Sequence, residues 1–241
     1  RDDLLYDKSL KFGQINEKFL PAVPNCFLNI VCNQILLFCI NQIKPEIEKT
    51  IKKFGKNRIA VIIGSSNTGI HEGQKAIDED LDKGKYPEWF SFEMLELGSP
   101  AKFAAEYLGL EGPRYTVSTA CSSSIKAFAS ARYLIEAGIC DAAIVGGVDS
   151  LCAFASNGFY SLEALSEDIS NPFSKNRSGI SIGEGGALFV VSRDNIDNDV
   201  EIMGIGETSD AYHMTSPLPD GKTARLARQM AIDEAGIKPS D

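Results

Sequence analysis

The residue best suited to chemistry in this 241-residue chain is Cys121, which lies in the segment VSTACSSS at residues 117–124. Residues 115–117 are aromatic or β-branched and predict a buried strand, whereas residues 122–137 lack Gly and Pro and predict a buried helix. The N-terminus of a helix favours negative charge, and a thiolate is the nucleophilic form of cysteine. A free cysteine is more often a small buried apolar residue, but this pattern favours a reactive Cys121.

The segments around this turn alternate between apolar runs of strand length and helical patterns. Continuous apolar runs are typical of strands that are covered on both faces, and their alternation with helices predicts an α/β fold with a largely parallel sheet. A polar loop at residues 65–69 lacks the lysine of a phosphate-binding loop and is expected to pack near the site. The predicted strands are 59–64, 115–117, 142–148, 185–192 and 200–206. The predicted helices are 25–54 (divided near Lys44-Pro45), 100–110, 122–137 and 223–235. Residues 68–85 are expected to form a loop and a charged helix, and residues 149–164 are expected to be helical or mixed.

The segment TACSSS at residues 119–124 resembles the nucleophile motif of the β-ketoacyl-[acyl-carrier-protein] synthases, which belong to the thiolase superfamily. Other segments resemble further motifs of that family in the same order along the chain. They are DAAIVGGVD at 141–149, GF with ALS at 158–166, NPF to GEGG at 171–186 and YHMTSP at 212–217. The chain therefore resembles the N-terminal part of such a synthase, from about Ile59 onward.

This resemblance implies a thiolase-like layered fold, in which two similar halves form an αβαβα sandwich. Residues 1–199 would form the N-terminal half with the nucleophile, and residues 200–241 would form only the opening of the second half. The strand with which the family opens is not found near Arg1, so the N-terminus is expected to be incomplete.

The family's reaction is a decarboxylating Claisen condensation with an acyl-enzyme intermediate. By resemblance, Cys121 would accept the acyl group, and its N–H would form half of an oxyanion hole. Phe159 would line the acyl pocket, although packing alone explains an aromatic residue equally well. Thr215 would hydrogen-bond the pantetheine arm, or it is simply a turn hydroxyl. No cofactor is implied, because the phosphopantetheine of the carrier protein holds the substrates.

Some family features are missing or altered. The H-G-T-x-T and N-x-G-H segments and the lone lysine of the second half do not occur, and His213 does not match a catalytic position. Ser174 and Ser178 replace acidic residues, and Glu184 is expected to be structural.

The full-length protein is therefore expected to be an enzyme, whereas this chain alone is expected to be inactive. The alternatives are a non-catalytic synthase-like partner, which the retained Cys121 disfavours, and a cysteine hydrolase, for which no Asp–His pair is found.

Composition limits the remaining possibilities. The net charge of −9 argues against nucleic-acid binding, and two histidines without a C-x-x-C pair argue against a metal site. Six cysteines in a chain of this size are expected to be free thiols in the cytosol. The apolar segment 26–43 is interrupted by polar residues and predicts no membrane span. The expected partners are acyl carrier protein and a second synthase subunit, as a homodimer or a heterodimer, in fatty acid or polyene and polyketide synthesis.

Overall fold

A computed structural model describes residues 10–194, 200–214 and 216–240. The chain divides into two compact units, Arg1–Asp194 and Asn195–Asp241. The first unit contains a four-stranded sheet and the Cys121 turn, and the described part of the second contains one helix. None of the described helices is long and apolar enough to cross a membrane.

The sheet has the strand order β2-β1-β3-β4. Its strands are β1 (Ile59–Gly64), β2 (Arg114–Val117), β3 (Ala142–Asp149) and β4 (Gly185–Ser192). β1 pairs in parallel with β2 and β3, whereas β4 is antiparallel to β3. The carboxyl ends of β1, β2 and β3 therefore lie at one edge of the sheet. The largely parallel sheet predicted from the apolar runs is confirmed.

Helices cover both faces of this sheet. The odd-numbered residues of β1, Ile59, Val61 and Ile63, belong to a core formed with the helices α1 and α4, and the even-numbered residues pack toward Ala127 and Ala131 of α5. This alternation follows from the period of two along a strand. The helices are α1 (Val31–Gln42), α2 (Lys44–Phe54), α3 (Ile70–Lys83), α4 (Ser99–Leu108), α5 (Ser123–Glu136), α6 (Ala153–Ser161) and α7 (Lys222–Ala235), with 3₁₀ turns at Glu17–Phe19, Lys56–Arg58 and Phe92–Leu95.

The structure corrects the predicted burial of two elements. Residues 115–117 were expected to form a buried strand, but Tyr115 is 37% exposed because β2 is an edge strand of the described sheet. The helix after Cys121 was expected to be buried, but only one side of α5 is, and Ile125 on its other side is 75% exposed.

A predicted helix start and a predicted strand are also wrong. Residues 25–30 are not helical, so the predicted helix 25–54 begins at Val31; its predicted division near Lys44-Pro45 is confirmed, because α1 ends at Gln42 and α2 begins at Lys44. Residues 200–206 do not form a strand, because none of the described residues of their unit offers a strand to pair with them. This segment instead bonds to α7, since the Ile205 N–H donates to Glu234 Oε2 at 2.5 Å.

Candidate functional site

Cys121 lies on an exposed turn between β2 and α5, as the sequence predicts. The strand ends at Val117, and the helix begins two residues after the thiol. Ala120, which precedes the thiol, has a φ of 51°. A residue other than glycine in this left-handed region is strained by about 1 kcal/mol or more, so the surrounding contacts must hold it.

Hydroxyl groups of the TACSSS segment close the turn. Ser123 Oγ accepts the Thr119 N–H at 2.9 Å and donates to the Ala120 carbonyl at 2.6 Å. Ser122 Oγ donates to the Thr119 carbonyl at 2.8 Å. The small hydroxyl side chains thus satisfy backbone groups that a tight turn would otherwise leave unpaired, and they leave Cys121 accessible.

Two glycines bring the start of α5 onto the sheet. A Cβ on Gly64, the last residue of β1, would lie 2.5 Å from the backbone C of Ser123 and from the N of Ser124. A Cβ on Gly147 of β3 would lie 1.9 Å from Ser124 Oγ. The first turn of α5 can therefore contact both strands only because neither residue has a side chain.

The other cysteines differ from Cys121 in burial or in position. Cys26 is also exposed, but it lies before α1. The remaining four are buried, and burial raises the pKa of Cys32, Cys39, Cys140 and Cys152. A buried thiol with a raised pKa supplies little thiolate at neutral pH, so these four are poor nucleophiles.

A carboxylate at the end of β3 organises the loop that follows β1. Asp149 Oδ1 accepts hydrogen bonds from Ser65 Oγ at 3.1 Å, from the Ser66 N–H at 2.8 Å and from the Asn67 N–H at 3.2 Å. Ser66 Oγ in turn donates to the Ala120 carbonyl at 3.3 Å. The polar loop at residues 65–69 therefore packs against the Cys121 turn, as expected from the sequence.

Sequence reasoning did not identify Asp149 as part of the site. The signal was present, because Asp149 and Ser65 each follow a buried apolar strand, at Val148 and Gly64. Polar residues at the carboxyl ends of adjacent parallel strands meet at the same sheet edge. Recognising the pair required the order of the strands, which the sequence patterns do not provide.

The remaining sequence-predicted residues lie elsewhere. Phe159 is half-buried on α6, and its role in an acyl pocket stays a prediction. Thr215 lies outside the described residues. His213 is exposed in the second unit, and Ser178 Oγ lies 3.2 Å from Ser166 Oγ. Glu184 has the structural contacts expected of it, since its two oxygens accept the N–H groups of residues 15 and 151 at 3.0 and 3.1 Å.

An open groove of about 560 Å³ lies beside the first turns of α5. Ser124 and Phe128 of α5 line one side, and Gly147, Asp149 and Phe189 line the sheet side. Phe128 and Phe189 meet edge to face, with ring centroids 5.4 Å apart. The groove therefore presents apolar side chains beside the first turns of α5, and Cys121 is not among the residues that line it. In the described parts of the chain, no group of three or more His, Cys, Asp or Glu residues could hold a metal ion.

Residues 46–195 match the family model described as beta-ketoacyl synthase, N-terminal domain. The chain belongs to this family. It is 32% identical over 200 residues to 3-oxoacyl-[acyl-carrier-protein] synthase 2 of Staphylococcus aureus, which covers 77% of this chain and 49% of that protein. The enzyme of the same name from Synechocystis sp. is 31% identical over 207 residues, with 78% and 49% covered. This β-ketoacyl synthase chain thus spans about half the length of these relatives.

Solved ketosynthases share the fold. The ketosynthase ApeO, in complex with its chain length factor ApeC from Xenorhabdus doucetiae, is 43% identical with a TM-score of 0.85, and the match covers 92% of this chain and 56% of that one. The ishigamide ketosynthase/chain length factor is 25% identical with a TM-score of 0.79, and 92% and 57% are covered. The predicted thiolase-like α/β fold is therefore confirmed.

Proposed function

We propose that the full-length protein is a 3-oxoacyl-[acyl-carrier-protein] synthase and that this chain supplies its nucleophile, Cys121. The observation that supports the proposal is that the thiol of Cys121 is exposed just before α5, a helix with one buried face, in a chain of the β-ketoacyl synthase family. The substrates are acyl groups held as thioesters on the phosphopantetheine of acyl carrier protein, so the reaction requires no further cofactor.

In the first step, Cys121 Sγ attacks the carbonyl carbon of the acyl thioester. The bond from that carbon to the pantetheine sulfur breaks, and the carrier leaves as a free thiol while the acyl group stays on Cys121. In the second step, malonyl-carrier protein loses carbon dioxide. The electron pair of the broken bond then forms a bond to the acyl carbonyl carbon and expels the Cys121 thiolate, which leaves a 3-oxoacyl thioester on the carrier.

Residues 1–241 lack the histidine segments that the family uses for decarboxylation, so we assign to this chain the acyl-transfer step. Phe159 is proposed to line the acyl pocket, and Thr215 is proposed to bind the pantetheine arm. The second synthase subunit is proposed to be a chain length factor-like partner, because the ketosynthase with 43% identity was solved with one. A homodimer is the alternative.

The decisive test is intact mass of the full-length protein after incubation with an acyl-carrier protein thioester. We expect one acyl adduct that maps to Cys121 and is absent from Cys121→Ala. Cys26→Ala is the matched control, since Cys26 is the other exposed thiol of the described residues, and it should retain the adduct. An adduct on Cys26, or none on the wild-type protein, would contradict the proposal and favour the non-catalytic partner role.

A further inference from the structure

We propose that Ser66 and Asp149 are positioning residues that hold the Cys121 turn in its reactive shape. This inference rests on the proposed acyl transfer for its catalytic meaning. The geometry that supports it is the set of hydrogen bonds between the Cys121 turn, the loop after β1 and the end of β3. This geometry does not depend on the identity of the substrate.

The first link joins the loop after β1 to the residue before the nucleophile. Ser66 Oγ donates to the Ala120 carbonyl at 3.3 Å, and the same carbonyl accepts Ser123 Oγ at 2.6 Å and the Ser123 N–H at 3.1 Å. Ala120 has the strained φ of 51°, and its carbonyl belongs to the peptide bond that leads into Cys121. Fixing this carbonyl therefore fixes the orientation of the peptide that carries the thiol.

The second link fixes Ser66 itself. Asp149 Oδ1 accepts three donors of the loop, and one of these is the Ser66 N–H at 2.8 Å. The Asn67 side chain adds two bonds to Ser150, because its Nδ2 donates to the Ser150 carbonyl at 2.5 Å and its Oδ1 accepts the Ser150 N–H at 3.2 Å. Bonds to an ionised carboxylate are stronger than neutral ones, so Asp149 is the anchor of the loop.

These links follow the order of the strands in the sheet. Asp149 ends β3, the loop of Ser66 follows β1, and the Cys121 turn follows β2, while the sheet order is β2-β1-β3. The rigid core strand β3 thus restrains the turn after the edge strand β2 through the loop between them. Without this support, Ala120 can relax from its strained conformation and Cys121 loses its fixed position relative to α5.

The test compares Ser66→Ala with Ser66→Thr in the full-length protein. Two rates are measured: acylation of Cys121 by hexanoyl-N-acetylcysteamine in a single turnover, and alkylation of Cys121 by iodoacetamide. For Ser66→Ala we expect the maximal acylation rate to fall about fivefold, which is about 1 kcal/mol at 1.36 kcal/mol per factor of ten, with an unchanged half-saturating concentration. Alkylation should fall in parallel, and Ser66→Thr, which keeps the hydroxyl, should restore both rates.

Ser192→Ala is the matched control, because Ser192 Oγ also donates to a backbone carbonyl, that of Asp194, at 2.6 Å. Ser192 pairs with Ala142 at the opposite end of β3, so its loss should change neither rate. Asp149→Asn keeps an acceptor but removes the charge, and it should lower both rates less than Asp149→Ala does.

Unchanged acylation and alkylation rates in Ser66→Ala would overturn the inference, as would a change confined to the half-saturating concentration. Failure of the proposed function is distinguishable from this result. If the wild-type protein is not acylated at Cys121 but Ser66→Ala still slows alkylation, acyl transfer is contradicted while the positioning role is supported.

Discussion

Substitution of Gly64 tests whether the contact between β1 and α5 sets the geometry of the nucleophile turn. In Gly64→Ala the new Cβ would lie 2.5 Å from the backbone C of Ser123 and 2.5 Å from the N of Ser124. Backbone atoms cannot rotate away as the end of a side chain can, so the first turn of α5 must move. Overpacking of this kind costs about 1–3 kcal/mol. We therefore expect the free energy of unfolding to fall by about 2 kcal/mol.

The matched control for this substitution is Gly158→Ala. Gly158 lies within α6, and a Cβ there would meet no atom within 4 Å apart from the local backbone of its own helix. Alanine is a better helix former than glycine by up to about 1 kcal/mol, so this variant should be as stable as the wild-type protein or slightly more stable.

Urea unfolding provides the first measurement. With a slope of about 2 kcal/mol per molar urea, the midpoint of Gly64→Ala should be about 1 M lower than that of the wild-type protein. The rate of Cys121 alkylation provides the second, and it should change because the helix start next to Cys121 has moved. If Gly64→Ala has the wild-type midpoint and the wild-type alkylation rate, the close contact is not required and the reasoning about this turn is refuted.

Further predictions concern three carboxylates. Glu184→Ala leaves two backbone N–H groups without their acceptor and should lower the free energy of unfolding in urea by about 2 kcal/mol, whereas an unchanged midpoint would contradict this role. The hydrogen bond from Arg58 lowers the pKa of Asp141. The ion pair of Arg58 with Asp141 therefore stabilises the fold above a pH of about 4, and this stabilisation is lost as the pH falls further. In Asp141→Asn the urea midpoint should therefore fall less on acidification than it does in the wild-type protein. Burial raises the pKa of Glu72, so the folded protein loses stability relative to the unfolded chain as the pH rises above about 4.3. Glu72→Gln should therefore reduce the difference between the urea midpoints at pH 4.5 and pH 7.5. A difference equal to that of the wild-type protein would contradict this.

The sequence was sufficient to predict the elements that carry the site. β1 and β3 are continuous apolar runs, which are typical of strands covered on both faces. The TACSSS segment predicted the strand–thiol–helix turn. The helix that ends before Gly138 was also predicted, because Gly138 has the positive φ of 69° that a helix C-terminus favours. These features depend on residues near one another in the chain.

The features that the sequence did not predict depend on which segments become neighbours. An apolar run indicates a strand but not whether it lies at an edge, so the exposure of Tyr115 was missed. The apolar residues at 200–206 satisfied a strand pattern, yet a strand also needs a neighbouring strand, and the described part of their unit contains only the helix α7. The strained φ of Ala120 has no signal in its own sequence, since alanine does not favour that conformation.

The order of the strands also explains why Cys121, and not the other five cysteines, is suited to chemistry. Thiols in the core are inaccessible, and Cys26 is exposed but precedes α1 in the chain and does not follow a strand. Cys121 instead follows the edge strand β2, where a turn can be open to solvent, while Asp149 and the loop of Ser66 connect it to the interior strands β3 and β1. Exposure alone would leave a thiol mobile, and burial alone would leave it inaccessible. The order β2-β1-β3 provides both access and restraint, so substitutions at the ends of β1 and β3 should affect Cys121 although neither strand contains it.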